Sequence, residues 1–222
     1  MVHISNVKIT QVIRTLEGGG AEILAVNLHK AYLEAGHESH LIAVDGNCPE
    51  GLPGASVVSR GSPYRLGAAW ALLKALRKLK LTRENVLHVH LFPMQFYVAM
   101  FRALGLIRCR LFTTEHNIYN RRRDCQLFRL LDRWTYRRYD CILCISQGVM
   151  ESLNQWAGPF RDIRVAYNGI YLEAYRAAYQ AQRSKPQAQG TFEILSVGSL
   201  TEQKNFPFMI EVLAACKDLR WH

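Results

Sequence analysis

VKITQVIRTLEGGGAEILAVNLHKAYLEAGHESHLIAV, residues 7–44, is the stretch whose reading decides the fold. Residues 7–16 read as a strand, ended by Gly18, Gly19 and Gly20. From Ala21 the apolar positions fall at 21, 24, 25, 28, 32 and 35, which is the spacing of one helix face, and Gly36 is placed to stop that helix. A second strand follows at 38–44. Farther along, 45–63 is rich in Gly, Pro and Ser and reads as a long loop. Ala69, Leu72, Leu73, Leu76 and Leu79 then mark a basic amphipathic helix.

The alternation continues to the end. Residues 86–91 are strand-like, 94–104 helical, 110–114 strand-like, 124–138 helical and 141–145 strand-like. Ser146 can cap a helix to about Ala157, and 163–166 is another short strand. Strands alternating with helices, and apolar enough to be covered on both faces, predict an α/β fold with a doubly wound, mainly parallel, Rossmann-like sheet. Residues 192–215, FEILSVGSLTEQKNFPFMIEVLAA, read as a further strand, a glycine turn carrying Lys204 and Asn205, and a helix. The polar segment 176–190 separates the two blocks and reads as a linker. The expected division is therefore a domain at 1–175, the linker at 176–190, and the partial strand–helix start of a second domain at 191–222.

The chain has 222 residues, 49% of them hydrophobic and 21% charged, which suits a core-forming globular protein. No run approaches the ~20 apolar residues of a membrane-spanning helix, and the N-terminus lacks the pattern of a secretory signal. A cytoplasmic protein with reduced thiols is expected from six scattered cysteines. The net charge of +10 is concentrated: residues 60–140 hold 17 Lys/Arg against 5 Asp/Glu, leaving 11 against 13 elsewhere. Such a field suits a polyanion or an anionic membrane surface, and equally a solvated basic face with no partner.

The Gly18-Gly19-Gly20-Ala21-Glu22 turn joins a strand to a helix start, where free N–H groups and the helix dipole favour an anion. It matches neither the dinucleotide fingerprint nor the Walker loop, so a plain tight turn is the competing reading. Thr113-Thr114-Glu115-His116-Asn117 follows a strand, and ligands of open parallel sheets bind beyond the strands' carboxyl ends. His116 there can donate to a substrate oxygen or accept a proton, or simply cap the loop. His88 and His90 share one side of their strand, but no third ligand stands at zinc spacing, so no metal is expected and packing is preferred. Cys141 and Cys144 read as core. On the helix at 124–138, Leu127, Leu130, Leu131 and Trp134 form a stripe expected to face the core, while Arg129, Arg133 and the preceding Arg122 form a candidate membrane or anion patch.

The ordered set GGGAE, LHVHLFP, TTEHN, CISQGVMESL, VAYNGI and VGSLTEQKNF resembles the GT-B glycosyltransferases, specifically the retaining family-four group. The resemblance implies two Rossmann-like domains facing across a cleft, with the N-terminal one on the acceptor side. It implies that a nucleotide-sugar serves as donor substrate, without a cofactor, and that a glycan or lipid-linked molecule is the acceptor. It places Gly19, Gly20, Lys204, Ser199 and Asn205 at the donor, His116 at the transferring sugar, and Glu22, His90, Asn117 and Asn168 at the cleft or acceptor side. Lys204 would neutralise the leaving diphosphate, which the helix-start N–H groups also stabilise. Ser199 stands where many members have a phosphate-binding arginine. The family's acidic donor motif is expected beyond His222, so the isolated chain is expected to be inactive. Surface polysaccharide or lipopolysaccharide-type glycolipid assembly, peripheral on the inner membrane face and without nucleic acid, is the implied setting. The alternative is a non-catalytic Rossmann-like module binding a polyanion, an anionic membrane or a partner protein. A nicotinamide-dependent oxidoreductase is disfavoured, because the first glycine turn lacks the fingerprint.

Overall fold

Seven strands form one parallel sheet in the order β3-β2-β1-β4-β5-β6-β7: β1 Lys8–Ile13, β2 Glu38–Ala43, β3 Ala55–Val57, β4 Val86–His90, β5 Arg110–Glu115, β6 Cys141–Cys144 and β7 Ile163–Val165. The helices between them are α1 Gly20–Glu34, α2 Leu66–Lys78, α3 Met94–Ala103, α4 Gln126–Tyr136 and α5 Gln147–Ala157. This computed structural model describes residues 7–59, 61–169, 172, 175, 176, 179, 180, 194–198, 200 and 202–216. The chain divides into two units, Met1–Leu172 and Glu173–His222.

Helices cover both sides of the sheet, so the central strands are buried on both faces. On one face Val12, Ile42, Leu87, Val89, Leu111 and Ile142 meet α2, α3 and residues of α4 and α5 in a single core. On the other, Ile13, Leu41 and Ala43 pack beneath α1 through Ala25. Gly36 takes φ +82 directly after α1, the left-handed conformation in which a side chain is strained. Ser146 caps α5 as expected, its Oγ accepting from the Val149 N–H.

Three features depart from the sequence reading. The loop at 45–63 contains β3, which adds to the sheet edge beside Leu41–Ala43; three residues are too few to show any periodicity. The helix expected at 124–138 is shorter at both ends: a 3-10 turn, Arg121–Asp124, capped by Asn120, precedes it, and α4 runs unbroken over Gln126–Tyr136. Its apolar stripe does not all face the core. Leu127 and Leu130 are 74% and 66% exposed, whereas Leu131 and Trp134 are partly covered. The stripe is wider than the surface that α3 and α5 offer to this helix.

In the second unit, Glu202–Lys204 forms a 3-10 turn, Asn205 adopts φ +44, and a helix runs Phe206–Ala215. Residues 194–198 form no strand, and Ile194, Leu195 and Val197 are exposed. A strand needs a ladder partner, and no described strand pairs with this run. Residues 181–190 of the expected linker lie outside the described residues, while Arg176, Tyr179 and Gln180 are helical.

Candidate functional site

The strand order reverses between β1 and β4: from β1 the chain proceeds outward to β2 and β3, then returns to β4 on the other flank. Connections leave in opposite directions there, opening a crevice beyond the carboxyl ends of the strands. A cleft of about 260 Å³ lies at that crest. Arg14 follows β1, Glu22 lies in the first turn of α1, Leu91 and Phe92 follow β4, Glu115 ends β5 and Asn117 follows it; all six line it.

Two of the three glycines in the turn have a distinct reason to be glycine. Gly18 has φ +100, which only glycine adopts without strain. A Cβ on Gly19 would collide with Glu22 Oε2, so the missing side chain lets that buried carboxylate fold back against the turn. Gly20 meets neither limit, since a Cβ there would have nothing within 4 Å. Leu91, at the opposite lip, holds φ +62, an uncommon conformation for a leucine that marks a constrained crossing into Phe92.

Two polar clusters flank β5, because its successive side chains point to opposite faces. On one face Gln95 of α3 donates to Thr113 Oγ1 at 2.9 Å, and the Tyr136 hydroxyl donates to Glu115 Oε2. Glu115 Oε1 accepts from the Asn117 N–H at 3.2 Å, which shapes the loop. Burial raises the Glu115 carboxyl above its usual range, against the hydrogen bond from Tyr136. Beside it the Arg122 guanidinium carbon lies 4.1 Å from the Phe92 ring centre, and its Nε donates to Asp132 at 3.3 Å. Asp132 also accepts from Trp156 Nε1 at 3.0 Å.

On the α1 face, His90 Nε2 lies 3.2 Å from Gln11 Oε1, and His90 Nδ1 lies 3.2 Å from His116 Nε2. The Gln11 amide donates to the Ala25 carbonyl at 3.0 Å. His88 packs at a tilt against His90 with ring centres 4.1 Å apart and pairs with Thr114 Oγ1 at 2.7 Å. Burial lowers all three imidazoles: His88 to about 3, His116 to about 4, and His90 well below its ordinary value. All three are therefore neutral at physiological pH.

The residues singled out from sequence fall in several places. Glu22 and Asn117 line the cleft, and His116 stands between two lining residues of the same loop. His90 is fully buried and meets the loop only through His116. Arg122 is a cleft residue tied to Asp132, apart from the exposed Arg129 and the partly covered Arg133 on α4. Asn168 is exposed beyond β7, away from the β1–β4 crest. In the second unit Lys204 and Asn205 are exposed, with the Lys204 stem beside Gly198; Ser199 lies outside the described residues. Sequence reasoning missed Gln11, Gln95, Arg14 and Asp132. Polar residues inside predicted apolar elements, such as Gln11 in β1 and Gln95 in α3, were the available signal.

The Glycosyltransferase Family 4 model matches residues 18–174, a span that runs from the glycine turn past β7. The chain belongs to this glycosyltransferase family. Family-4 architecture is matched by the crystal structure of Anabaena HepE in complex with UDP and glucose, with TM-score 0.71 at 16% identity over 96% of this chain and 59% of that one. A glycosyltransferase from Rickettsia africae gives 0.69 at 16% identity, over 98% and 59%. Part of a sucrose-phosphate synthase from Thermosynechococcus elongatus gives 0.54 at 15%, over 79% and 96%. At these identities the likeness establishes the GT-B type of α/β fold. The chain spans about three fifths of the length of the first and second of these. No curated protein matches the sequence. Among the described residues, no helix is long and apolar enough to cross a membrane.

Proposed function

We propose that this chain is the acceptor-side part of a retaining glycosyltransferase that passes a sugar from a nucleotide-sugar donor to a glycan or lipid-linked acceptor, in surface polysaccharide or glycolipid assembly. The observation that carries the reading is the conjunction of the family-4 match with a polar cleft at the sheet's switch point. HepE, similar in fold, was solved with UDP and glucose, which supports a uridine-type donor. In this reading Gly19, Gly20 and the α1 N-terminus face the donor diphosphate and His116 meets the sugar. Lys204 and Asn205 act from the donor side, with Ser199 a further donor-binding candidate. Departure of a nucleoside diphosphate develops negative charge, which helix-start N–H groups and a lysine stabilise.

The test is transfer from a panel of radiolabelled nucleotide-sugars to a membrane lipid extract, using protein that carries these residues together with a donor-side domain. Product of retained anomeric configuration in the lipid or glycan fraction is expected; inversion, or hydrolysis alone, would overturn the reading. The 222 residues by themselves are expected to give no turnover. His116→Ala in the active protein should lower turnover roughly 100- to 1,000-fold, the cost of losing a positioned polar group at a transition state. Nucleotide binding and melting temperature should change little.

One observation favours a membrane contact beside the catalytic reading. Leu127 and Leu130 are exposed on α4 within the segment that holds the chain's basic excess, next to Arg129 and Arg133. Apolar side chains among arginines suit the headgroup boundary of an anionic bilayer at the cytoplasmic face.

A further inference from the structure

Gln11, His90 and His116 are 79 and 26 residues apart in sequence, yet they form one file across β1, β4 and the loop after β5. The direction of every hydrogen bond in that file follows from its far end. The Ala25 carbonyl can only accept, so the Gln11 NH2 donates to it and the Gln11 Oε1 is turned toward His90. That oxygen can only accept, so His90 carries its proton on Nε2. A neutral imidazole has one N–H, which leaves His90 Nδ1 bare. His116 Nε2, 3.2 Å away, must then be the donor. The proton of His116 is thereby committed to His90. Its Nδ1 is left as a lone pair that engages no described residue, on a side chain that is only partly covered.

We propose that Gln11, acting through the buried His90, is a positioning residue that fixes His116 in its Nε2–H form and presents Nδ1 as an acceptor for a ligand hydroxyl. The assignment rests on the sugar-transfer reading for the identity of the ligand, and on this file alone for the tautomer. It makes His116 a receiver of a hydrogen bond at the cleft. A polyhydroxylated ligand supplies such donors, whereas a carbonyl or phosphate oxygen with no proton is repelled by the same lone pair. Low imidazole basicity, with His116 near 4, keeps that acceptor bare across the physiological range.

The experiment is long-range 15N–1H correlation on the full 222-residue chain with labelled histidine. In the wild type the His90 and His116 Nε2–H protons should both be slow to exchange with water, and both Nδ1 nitrogens should show the shift of an unprotonated ring nitrogen. Gln11→Met keeps length but offers no acceptor; it should lose the protected His90 proton and leave His116 as a mixture of tautomers. A wild-type His116 protonated on Nδ1 overturns the proposal, and that result needs no variant to fold. So does an unchanged His116 pattern in folded Gln11→Met. Ordered tautomers with no sugar transfer by protein that carries these residues together with a donor-side domain would instead refute the sugar-transfer reading and leave the positioning role standing.

Discussion

Arg122 is clamped between Phe92 and Asp132: its guanidinium carbon lies 4.1 Å from the ring centre while its Nε reaches Asp132 Oδ1 at 3.3 Å. The clamp joins the lip after β4 to the turn before α4, so the wall of the cleft depends on it. Asp132 is almost fully buried and has Trp156 as a second donor. Removing the carboxylate strands a largely covered positive charge. Asp132→Ala should cost about 3 kcal/mol, in the range for breaking one side of a buried pair. Urea unfolding checks this, and a loss under ~0.5 kcal/mol, the scale of an ordinary surface substitution, would mean the clamp carries little.

Acid should loosen the α1 face of the sheet. An unfolded histidine titrates near 6.5, whereas folded His116 sits at about 4 and His88 at about 3. Between those values the unfolded chain binds more protons than the folded one. Stability is therefore full above about 6.5 and falls as pH drops toward 4, by up to ~1.4 kcal/mol per pH unit for each imidazole. Glu115, with its carboxyl raised by burial, opposes part of this below neutrality. Melting temperature measured from pH 7.5 down to 4.5 should decline, and His116→Gln should flatten the slope. A flat wild-type profile would contradict the buried neutral imidazoles.

The three glycines of the turn should respond differently to alanine. Gly18→Ala forces a side chain onto φ +100, and Gly19→Ala displaces the Glu22 carboxylate. Gly18→Ala should destabilise, and Gly19→Ala less so, because the displaced atoms are the end of a flexible side chain. Gly20→Ala has open space and occupies the first helical position, so it should stabilise by ~0.4–1 kcal/mol through the unfolded chain. If Gly20 also faces a donor diphosphate, the same variant should bind UDP more weakly in calorimetric titration of the active protein. Gained stability with unchanged UDP affinity would remove Gly20 from the donor contacts.

For the basic segment, Arg129→Glu with Arg133→Glu is the informative pair. Arg122 is left unchanged because its reversal would break the clamp to Asp132. Wild type should sediment with phosphatidylglycerol vesicles at low salt, and the double variant several-fold less. Binding should fade at 1 M salt, where screening acts within ~3 Å. Equal sedimentation of the two proteins would assign Arg129 and Arg133 to an ordinary solvated face.

The parallel sheet was legible in residues 7–44 because a strand, a glycine stop and a 3.6-residue stripe are local patterns, written within one element each. β3 was not, since three residues of an edge strand carry no period and gain their structure only by pairing with β2. The α4 stripe shows the opposite limit. Leu127, Leu130, Leu131 and Trp134 do share a region of that helix, but spacing says nothing about how much of it a neighbour will cover.

His116 and Glu22 could be placed near a site from sequence, since both follow a strand end and such ends gather at one edge of a parallel sheet. Which proton His116 keeps could not. That depends on Gln11 and Ala25, held on separate elements and brought within 3.0 Å only when α1 packs on β1. The sequence by itself determined the order and type of nearly every element and the loops that carry chemistry, because those follow from local spacing and turn residues. The tertiary structure alone decided the pairing across elements: the switch point at β1 and β4, the Arg122 clamp, and the file that orients an imidazole. Hydrogen-bond direction and burial are properties of distant residues in contact, and nothing in their separation along the chain encodes that they meet.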